Sequence, residues 1–365
     1  MDFSLSPEQL LIKDSVARFA AEHGEGKHED HWPTFAELGW LAIGAPDELG
    51  GFGGPIETLL VMEQFGRGLV VSPYVAQVVL AGTILKDAER SDLLEQLAEG
   101  KHRFAVAYEE PHARYDAASV DTAATKTADG WTLRGKKVRV LDATSAGTLI
   151  VSARTEDGVG LFAVPADAAK LSLEKYPSED GYDVADVTLD GVSVGADALL
   201  GDAGDGLAIL EKALDHATAA LCAEALGLCS LMLEATVDYT KQRQQFGVAL
   251  SSFQALQHRM AEMYIELELV RSMAYLAAMT LEDGADPAAR KRGISAAKAQ
   301  IAKSARFIGQ QAIQLHGGIG MSEEYKVGHY FKRSTLVERL LGDRDYHLGR
   351  YVALRGAAVA EPVPV

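Results

Sequence analysis

The chain has 365 residues, 48% of them hydrophobic and 24% charged, with a formal charge of −17 at neutral pH. That length exceeds what one hydrophobic core usually supports, so two or three subdomains are expected. The negative balance argues against nucleic-acid backbones and anionic membranes as partners. No basic segment followed by an apolar core opens the sequence, and Glu224 interrupts its most apolar stretch. A cytoplasmic chain that does not span a membrane is therefore expected. Cys222 and Cys229 lie seven residues apart in one predicted helix. The helical rise separates them by about 10 Å, beyond disulfide reach, so both are expected to be free thiols.

Residues 1 to about 104 read as helices. Ser6-Pro7-Glu8-Gln9 is a start signal, with Ser before a Pro at the first helical position. A second helix is predicted over about Pro55 to Gly68. A third is predicted from Ser91, read as its N-cap, to Gly100. The Gly50-Gly51-Phe52-Gly53-Gly54-Pro55 run has no strand before it, so a turn joining helices fits better than a phosphate loop.

From about Arg103 to Val194 the pattern shifts to short β runs: Phe104–Tyr108, Trp131–Leu133, Lys137–Leu141, Thr148–Ala153, Leu161–Val164 and Val184–Leu189. Asp129-Gly130 and Asp190-Gly191 are turn signals between such runs. The spacing leaves no room for crossover helices, so a mainly antiparallel sheet is predicted.

From Asp205 the chain is helical again. One apolar stripe runs Leu207, Leu210, Leu214, Ala217, Leu221, Ala225, Leu228, Met232, and a second Leu256, Met260, Met263, Leu267, Val270, Ala274, Ala277. A third follows the cap Asp286-Pro287 and stops at Gly317-Gly318, and a fourth starts near Glu324. Four long helices imply an antiparallel bundle. The predicted fold is mainly α with a central β domain: N-terminal helices over 1–104, a small antiparallel β domain over 105–202, and a C-terminal four-helix bundle over 203–365. The Glu361–Val365 tail is expected to be loose.

Two motifs carry chemistry. Tyr239-x₃-Arg243-x-Gln245-Phe246-Gly247 closes the first bundle helix, and Phe253-Gln254-x-x-Gln257 opens the second. Arg243 and Phe246 suit a helix hairpin corner, in which Arg243 caps carbonyls. A fixed guanidinium fork also suits a pyrophosphate. Gln314-Leu315-His316-Gly317-Gly318-Ile319-Gly320 reads first as a C-cap. Paired glycines also let a ligand approach the backbone, and Gln314 can hydrogen-bond a base or ribose. His28-Glu29-Asp30-His31 has no third ligand cluster and reads as a polar loop rather than a metal pair. No CxxC, P-loop or Ser-His-Asp signal is present.

Taken together, Arg243-x-Gln245-Phe246-Gly247, Phe253-Gln254, Gln314-x-His316-Gly317-Gly318-x-Gly320 and Glu324-Tyr325 resemble the acyl-CoA dehydrogenase family. Asp190-Gly191-Val192-x-Val194, Leu199-Leu200-Gly201 and Gly204-x-Gly206 match it as well. The stretches Gln310–Met321 and Glu324–Phe331 are similar in particular to the small subunit of pimeloyl-CoA dehydrogenase-type enzymes. The resemblance implies FAD bound across a subunit interface, an acyl-CoA substrate and an electron-transferring flavoprotein as acceptor. By that carry-over, Arg243, Gln245, Phe246, Gln254, Gln314, His316, Gly317 and Gly318 would serve the nucleotide end of a flavin lodged in a neighbouring subunit.

The same resemblance exposes departures. The family's catalytic carboxylate position, counted from Glu324-Tyr325 to Gly342, holds Leu341, and the alternative position 26 residues before Arg243 holds Ala217. Neither accepts a proton, and α-proton removal needs a base within hydrogen-bond reach. Glu338, Asp343 and Asp345 are near Leu341 in sequence; on a continuing helix Glu338 would share its face one turn back. Where relatives read Thr-Glu-Pro-x-x-Gly-Ser-Asp, this chain has Glu109-Glu110-Pro111-His112-Ala113-Arg114-Tyr115-Asp116. A flavin-facing hydroxyl becomes Glu109, and a small residue near the CoA path becomes Tyr115. Where they read Gly-x-Lys-x-Trp-Ile-Thr-Asn, it has Gly135-Lys136-Lys137-Val138-Arg139-Val140-Leu141-Asp142. The ring-shielding Trp is Arg139 and the following hydroxyl is Leu141; a buried carboxylate at Glu109 and the missing hydroxyl are each expected to cost binding at a polar ring edge.

The expected function is a non-catalytic subunit of a heterotetrameric, FAD-dependent acyl-CoA dehydrogenase, partnered by a catalytic acyl-CoA dehydrogenase subunit and serving lipid or steroid catabolism. Dicarboxylyl-CoA or ring-bearing acyl-CoA substrates are the classes implied. Two alternatives stand beside it: an active homomer with Glu338 or Glu109 as relocated base, or a flavin-free scaffold on the same fold.

Overall fold

The computed structural model describes residues 4–25, 29–179, 181–282 and 286–359, with side chains to residue 355. In chain order the helices before the sheet are α1 (Pro7–His23), α2 (Trp32–Glu37), α3 (Pro55–Gly68), α4 (Gly82–Asp87) and α5 (Ser91–Ala98). The strands are β1 (Phe104–Ala107), β2 (Ala123–Thr127), β3 (Gly130–Leu141), β4 (Thr148–Arg154), β5 (Val159–Pro165), β6 (Leu171–Pro177), β7 (Asp183–Gly195) and β8 (Leu199–Leu200). Helix α6 (Gly206–Gln242) follows, then the two-residue strands β9 (Gln244–Gln245) and β10 (Val248–Ala249). Helices α7 (Gln254–Glu282), α8 (Pro287–His316), α9 (Lys326–Arg339) and α10 (Arg344–Val359) complete it.

Contacts divide the chain into two compact units, residues 28–54 with 72–217, and residues 1–27 with 55–71 and 218–365. The first of these holds the sheet, in the order β6-β7-β3-β2-β4-β5-β8 with β1 paired to β4. Pairings are antiparallel apart from β1 on β4 and one β2–β4 pair. Leu133, Val140, Leu149, Val151, Phe162, Val164 and Val187 fill its core.

Three strand expectations are corrected. The runs at 131–133 and 137–141 are one strand, β3, bent by two bulges. Asp190-Gly191 is no turn: Arg134 faces Asp190 and Leu133 faces Val192, so Gly191 is the extra residue of a bulge inside β7, at φ +79°. The polar strands β2 and β6 went unpredicted because they bury little. Asp129-Gly130 does join β2 to β3, Thr127 pairing with Gly130.

In the other unit, α7 packs on α8, α8 on α9 and α10, α3 on α7, and α1 on α3. Helix α1 starts with the expected cap: Ser6 Oγ accepts from the Gln9 N–H and the Gln9 side chain from the Ser6 N–H. Asp286 caps α8 through the Ala288 and Ala289 N–H groups. Ser91, by contrast, is the first residue of α5 and not its N-cap. Helices α3 and α6 approach so closely that a Cβ on Gly227 would lie 2.0 Å from the Glu63 carbonyl oxygen. Glu224, the charge inside the apolar stretch, is buried against the Arg333 guanidinium at 2.6 and 2.9 Å.

The fourth bundle helix is two helices, α9 and α10, broken at Leu341 (φ +58°) and Gly342 (φ +119°). Only glycine fits at the break: a Cβ on Gly342 would fall 2.5 Å from His347 Nε2 and 2.6 Å from the Tyr346 ring. Helix α6 is long and apolar enough to cross a membrane, but 83% of its most apolar window is buried inside the protein. Cys222 and Cys229 are buried free thiols, pushed up to about 11 and about 12 by burial. The 361–365 tail and His28 lie outside the described residues. Within the polar loop, Asp30 pairs with Arg103 at 2.7 Å and accepts the Trp32 N–H.

Candidate functional site

The end of α6 is built around a tight hairpin. The Arg243 N–H closes on the Tyr239 carbonyl, and β9 and β10 pair Gln245 with Val248. The two loop residues between them, Phe246 and Gly247, have φ of +55° and +81°, the signature of a type I′ turn. Gly takes that conformation freely; for Phe it costs on the order of 1–2 kcal/mol. Yet Phe246 is 91% exposed, with the Phe253 ring 6.2 Å away edge-on. A strained backbone thus holds an aromatic ring largely out in solvent. Arg243, Gln245 and Gln254 are exposed beside it.

At the end of α8, the Gly317 N–H donates to the Gln314 and Ile313 carbonyls, with Gly317 at φ +63°. A Cβ on Gly317 or on Gly318 would meet nothing within 4 Å, so these glycines front open space next to the exposed Gln314. Gly320 differs: a Cβ there would sit 3.0 Å from His316 and 3.1 Å from the Ile313 carbonyl oxygen, a packing role. His316 also stands apart from its neighbours. It is 3% exposed, its Nδ1 bonds the Ala312 carbonyl at 2.7 Å, and burial holds it below the usual imidazole value. Its ring stacks on Tyr239 at 4.5 Å and lies 5.0 Å from Tyr325. The Tyr239–His316–Tyr325 stack thus joins the Arg243 hairpin to the Gln314–Gly318 corner. His316 is thus a buried ring of that stack, unlike the exposed Gln314, Gly317 and Gly318 around it.

Leu341 is not on a helix, as had been expected, but at the α9–α10 break. The sharing of a helical face with Glu338 is lost with it. His347 Nε2 lies 3.1 Å from the Leu341 carbonyl, and Lys298 Nζ donates to the Val337 carbonyl. Lys298 is fully enclosed, and burial pushes it down to about 8. The neighbouring carboxylates are engaged or outlying. Glu338 is buried and takes a two-pronged bond from Arg306. Asp343 caps α10 through the Tyr346 N–H at 2.9 Å. Asp345 is exposed, 3.7 Å from Arg344. Ala217 is buried within α6.

In the sheet unit, Val138 and Arg139 form a β3 bulge facing the single residue Asp186. Arg139 has φ +52° and donates its N–H to Asp186 Oδ1 at 3.3 Å. Its guanidinium pairs with Glu109 at 2.5 and 2.8 Å, and the Tyr108 hydroxyl donates to the same carboxylate at 2.9 Å. Burial raises Glu109, against the pull of Arg139. The buried carboxylate that looked like an uncompensated loss is therefore ion-paired, which corrects the expectation of a bare desolvation cost. Tyr115 and Leu141 are half-buried.

Two features escaped sequence reasoning. One is a buried pair, Lys137 Nζ to Glu110 at 2.6 Å, with Ser152 Oγ at 3.0 Å and the Asp121 and Thr122 N–H groups on the carboxylate. Burial pushes Lys137 down to about 8. Burial also opposes the charged Glu110, but the Lys137 ammonium outweighs it and holds the carboxyl below its ordinary value. The other is the outward row of α7. Tyr264, Ile265, Leu269 and Leu276 are exposed by 57%, 60%, 38% and 43%. At 100° per residue they fall within an arc of about 140°, opposite the buried Met263, Leu267, Val270 and Ala274. Reading one stripe per helix hid the second.

The fold and these sites define a chain of the flavoprotein dehydrogenase type, with helices, a central sheet and a helical C-terminal part. Three acyl-CoA dehydrogenase family profiles match: the N-terminal domain over 6–101, the middle domain over 105–192 and the C-terminal domain over 204–353. The probable acyl-CoA dehydrogenase YngJ of Bacillus subtilis is 32% identical, covering 97% of this chain and 99% of its own. A solved variant of the Tcur3481-Tcur3483 steroid ACAD is 32% identical, with TM-score 0.86 over 97% of this chain and 99% of that one. PigA with FAD and proline superposes with TM-score 0.91 at 27% identity, over 98% of this chain and all of that one, 100%. The chain belongs to the acyl-CoA dehydrogenase family, whose cofactor is FAD.

Proposed function

We propose that this chain is the non-catalytic subunit of a heteromeric, FAD-dependent acyl-CoA dehydrogenase and lends its partner the nucleotide end of the flavin site. The observation that carries the reading is the contrast between two places. At the α9–α10 break an aliphatic Leu341 sits among carboxylates already committed to Arg306 or to a helix cap. At the α6 and α8 ends, Arg243, Phe246, Gln254, Gln314, Gly317 and Gly318 are open to solvent.

These residues fit a dinucleotide. The Arg243 fork suits a pyrophosphate, Gln254 and Gln314 supply amide donors and acceptors, and Gly317 and Gly318 admit close approach. Phe246, held out by its turn, offers a flat apolar face. Bound flavin supplies the hydride acceptor of the family reaction. This chain's residues only hold the nucleotide end, while the partner provides the base that takes the α-proton. The two-faced α7 gives the assembly an apolar surface to bury. The steroid ACAD likeness favours a ring-bearing acyl-CoA as the substrate class; the family resemblance implies an electron-transferring flavoprotein as acceptor.

The test is to purify the chain alone and with the product of a related neighbouring gene, then measure turnover of acyl-CoA thioesters and flavin content. Inactivity alone, with activity and flavin in the complex, is expected. Full turnover by the lone chain overturns the reading. Should a lone preparation turn over, loss of rate in Glu109→Gln or Glu338→Gln identifies a relocated base.

A further inference from the structure

We propose that the Glu109–Arg139 pair closes this chain's own seat for a flavin ring, so that the chain gives a nucleotide grip and takes no ring in return. This rests on the family membership and deepens the non-catalytic reading. Two departures from the family pattern that look independent in the sequence, a carboxylate for a hydroxyl and a guanidinium for an indole, are partners in space at 2.5 and 2.8 Å.

The chemistry of the donors decides the fit. A flavin ring presents carbonyl oxygens and ring nitrogens that ask for hydrogen-bond donors, and a broad face that asks for a flat apolar wall. Glu109, ionised, only accepts. The donors around it, the Tyr108 hydroxyl and the Arg139 Nε and Nη2, are already spent on its carboxylate. Arg139 is further fixed from its backbone by Asp186, which also takes the Tyr176 hydroxyl at 3.0 Å and pairs with Lys136 at 3.0 Å. A left-handed, non-glycine residue at a bulge, tied at both backbone and side chain, holds its guanidinium in place rather than sweeping aside. Opening the seat means breaking a charge-assisted bond and leaving the Glu109 carboxylate buried and unpaired. The residues present do not fit the ring.

The experiment titrates FAD into the full lone chain, followed by the visible flavin band and by quenching of flavin fluorescence. It compares wild type with Glu109→Thr, Arg139→Trp and the double variant. The double variant is expected to bind at least about tenfold more tightly than wild type. Arg139→Trp alone, which strands the buried carboxylate, is expected to gain nothing. No gain in a folded double variant overturns the inference, as does wild type that already binds as tightly. If the double variant fails to fold, a thermal cycle of Glu109→Gln, Arg139→Gln and both decides: the two losses are expected to be non-additive, and additive losses overturn the pair. Turnover by the lone wild type would instead sink the non-catalytic reading, a separate outcome from an unchanged titration.

Discussion

If the proposed assembly buries the outward row of α7, the contribution of that row can be estimated. Full burial of an Ile or Leu side chain is worth about 1.5–3 kcal/mol. Ile265 is 60% exposed and Leu269 38%, so completing their burial at an interface contributes roughly 2 kcal/mol together, less what an alanine methyl retains. Ile265→Ala with Leu269→Ala should therefore weaken association about tenfold to thirtyfold. Ile265→Asp should do more, because a carboxylate must then be desolvated, at a further cost of about 2 kcal/mol or above. Ile265 faces away from Met263, Leu267 and Val270, so Ile265→Asp should spare the fold, whereas Leu269, 38% exposed, already packs in part and its truncation should lower the lone chain's stability somewhat. Sedimentation velocity across a dilution series, alone and with the partner, measures the effect. Circular dichroism and the thermal midpoint of the lone chain serve as control. If Ile265→Asp leaves the assembly intact at all dilutions, the row is not an interface and the reasoning from two-faced amphipathicity is wrong.

Arg243→Ala should lower flavin affinity of the complex by about 2 kcal/mol, near thirtyfold, while the lone chain melts as wild type, since the exposed guanidinium supports nothing internal; equilibrium dialysis of FAD reads it. Arg333→Met leaves Glu224 buried without its partner and should cost about 3–5 kcal/mol of stability in denaturant titration, whereas the pair-removing Arg333→Met with Glu224→Leu should recover much of it. His347 is driven down to about 3 by burial, with Lys298 and Arg350 adding to the push. Its folded value lies below the unfolded one, so the stability it contributes is complete above about pH 6.5 and is lost as pH falls toward 3. At pH 5 the loss should be about 2 kcal/mol, seen as a falling thermal midpoint that His347→Gln flattens.

The architecture was legible because it is written in periodicity. A stripe every three or four residues, Ser6-Pro7 and Asp286-Pro287 at helix starts, and short β runs without room for crossovers all reflect local steric and solvation rules. The breaks were not legible for an equally physical reason. A single Gly342 is a weak local stop signal; that a Cβ there would fall against His347 and Tyr346, so that only Gly fits at φ +119°, is visible only in the folded chain. Bulges behave alike. Asp190-Gly191 has the composition of a turn, and only the register against Leu133 and Arg134 makes it an inserted residue within a long strand.

The site shows the same division between residue identity and residue pairing. The sequence indicates which residues depart from the family pattern, but not that Glu109 and Arg139 depart together. A carboxylate in place of a hydroxyl, taken singly, is a desolvation cost with no return. Beside a guanidinium at 2.5 Å it is half of a structure that occupies a place. The distinction bears on the proposed non-catalytic role. A lone Leu341 could be a single inactivating change in an otherwise working chain. A complementary acid–base pair, anchored through Asp186 to Tyr176 and Lys136, requires two positions to change in concert and to remain compatible with folding. The exposed Phe246, held out by a left-handed turn, is where the proposed nucleotide grip would gain most from a ligand outside this chain.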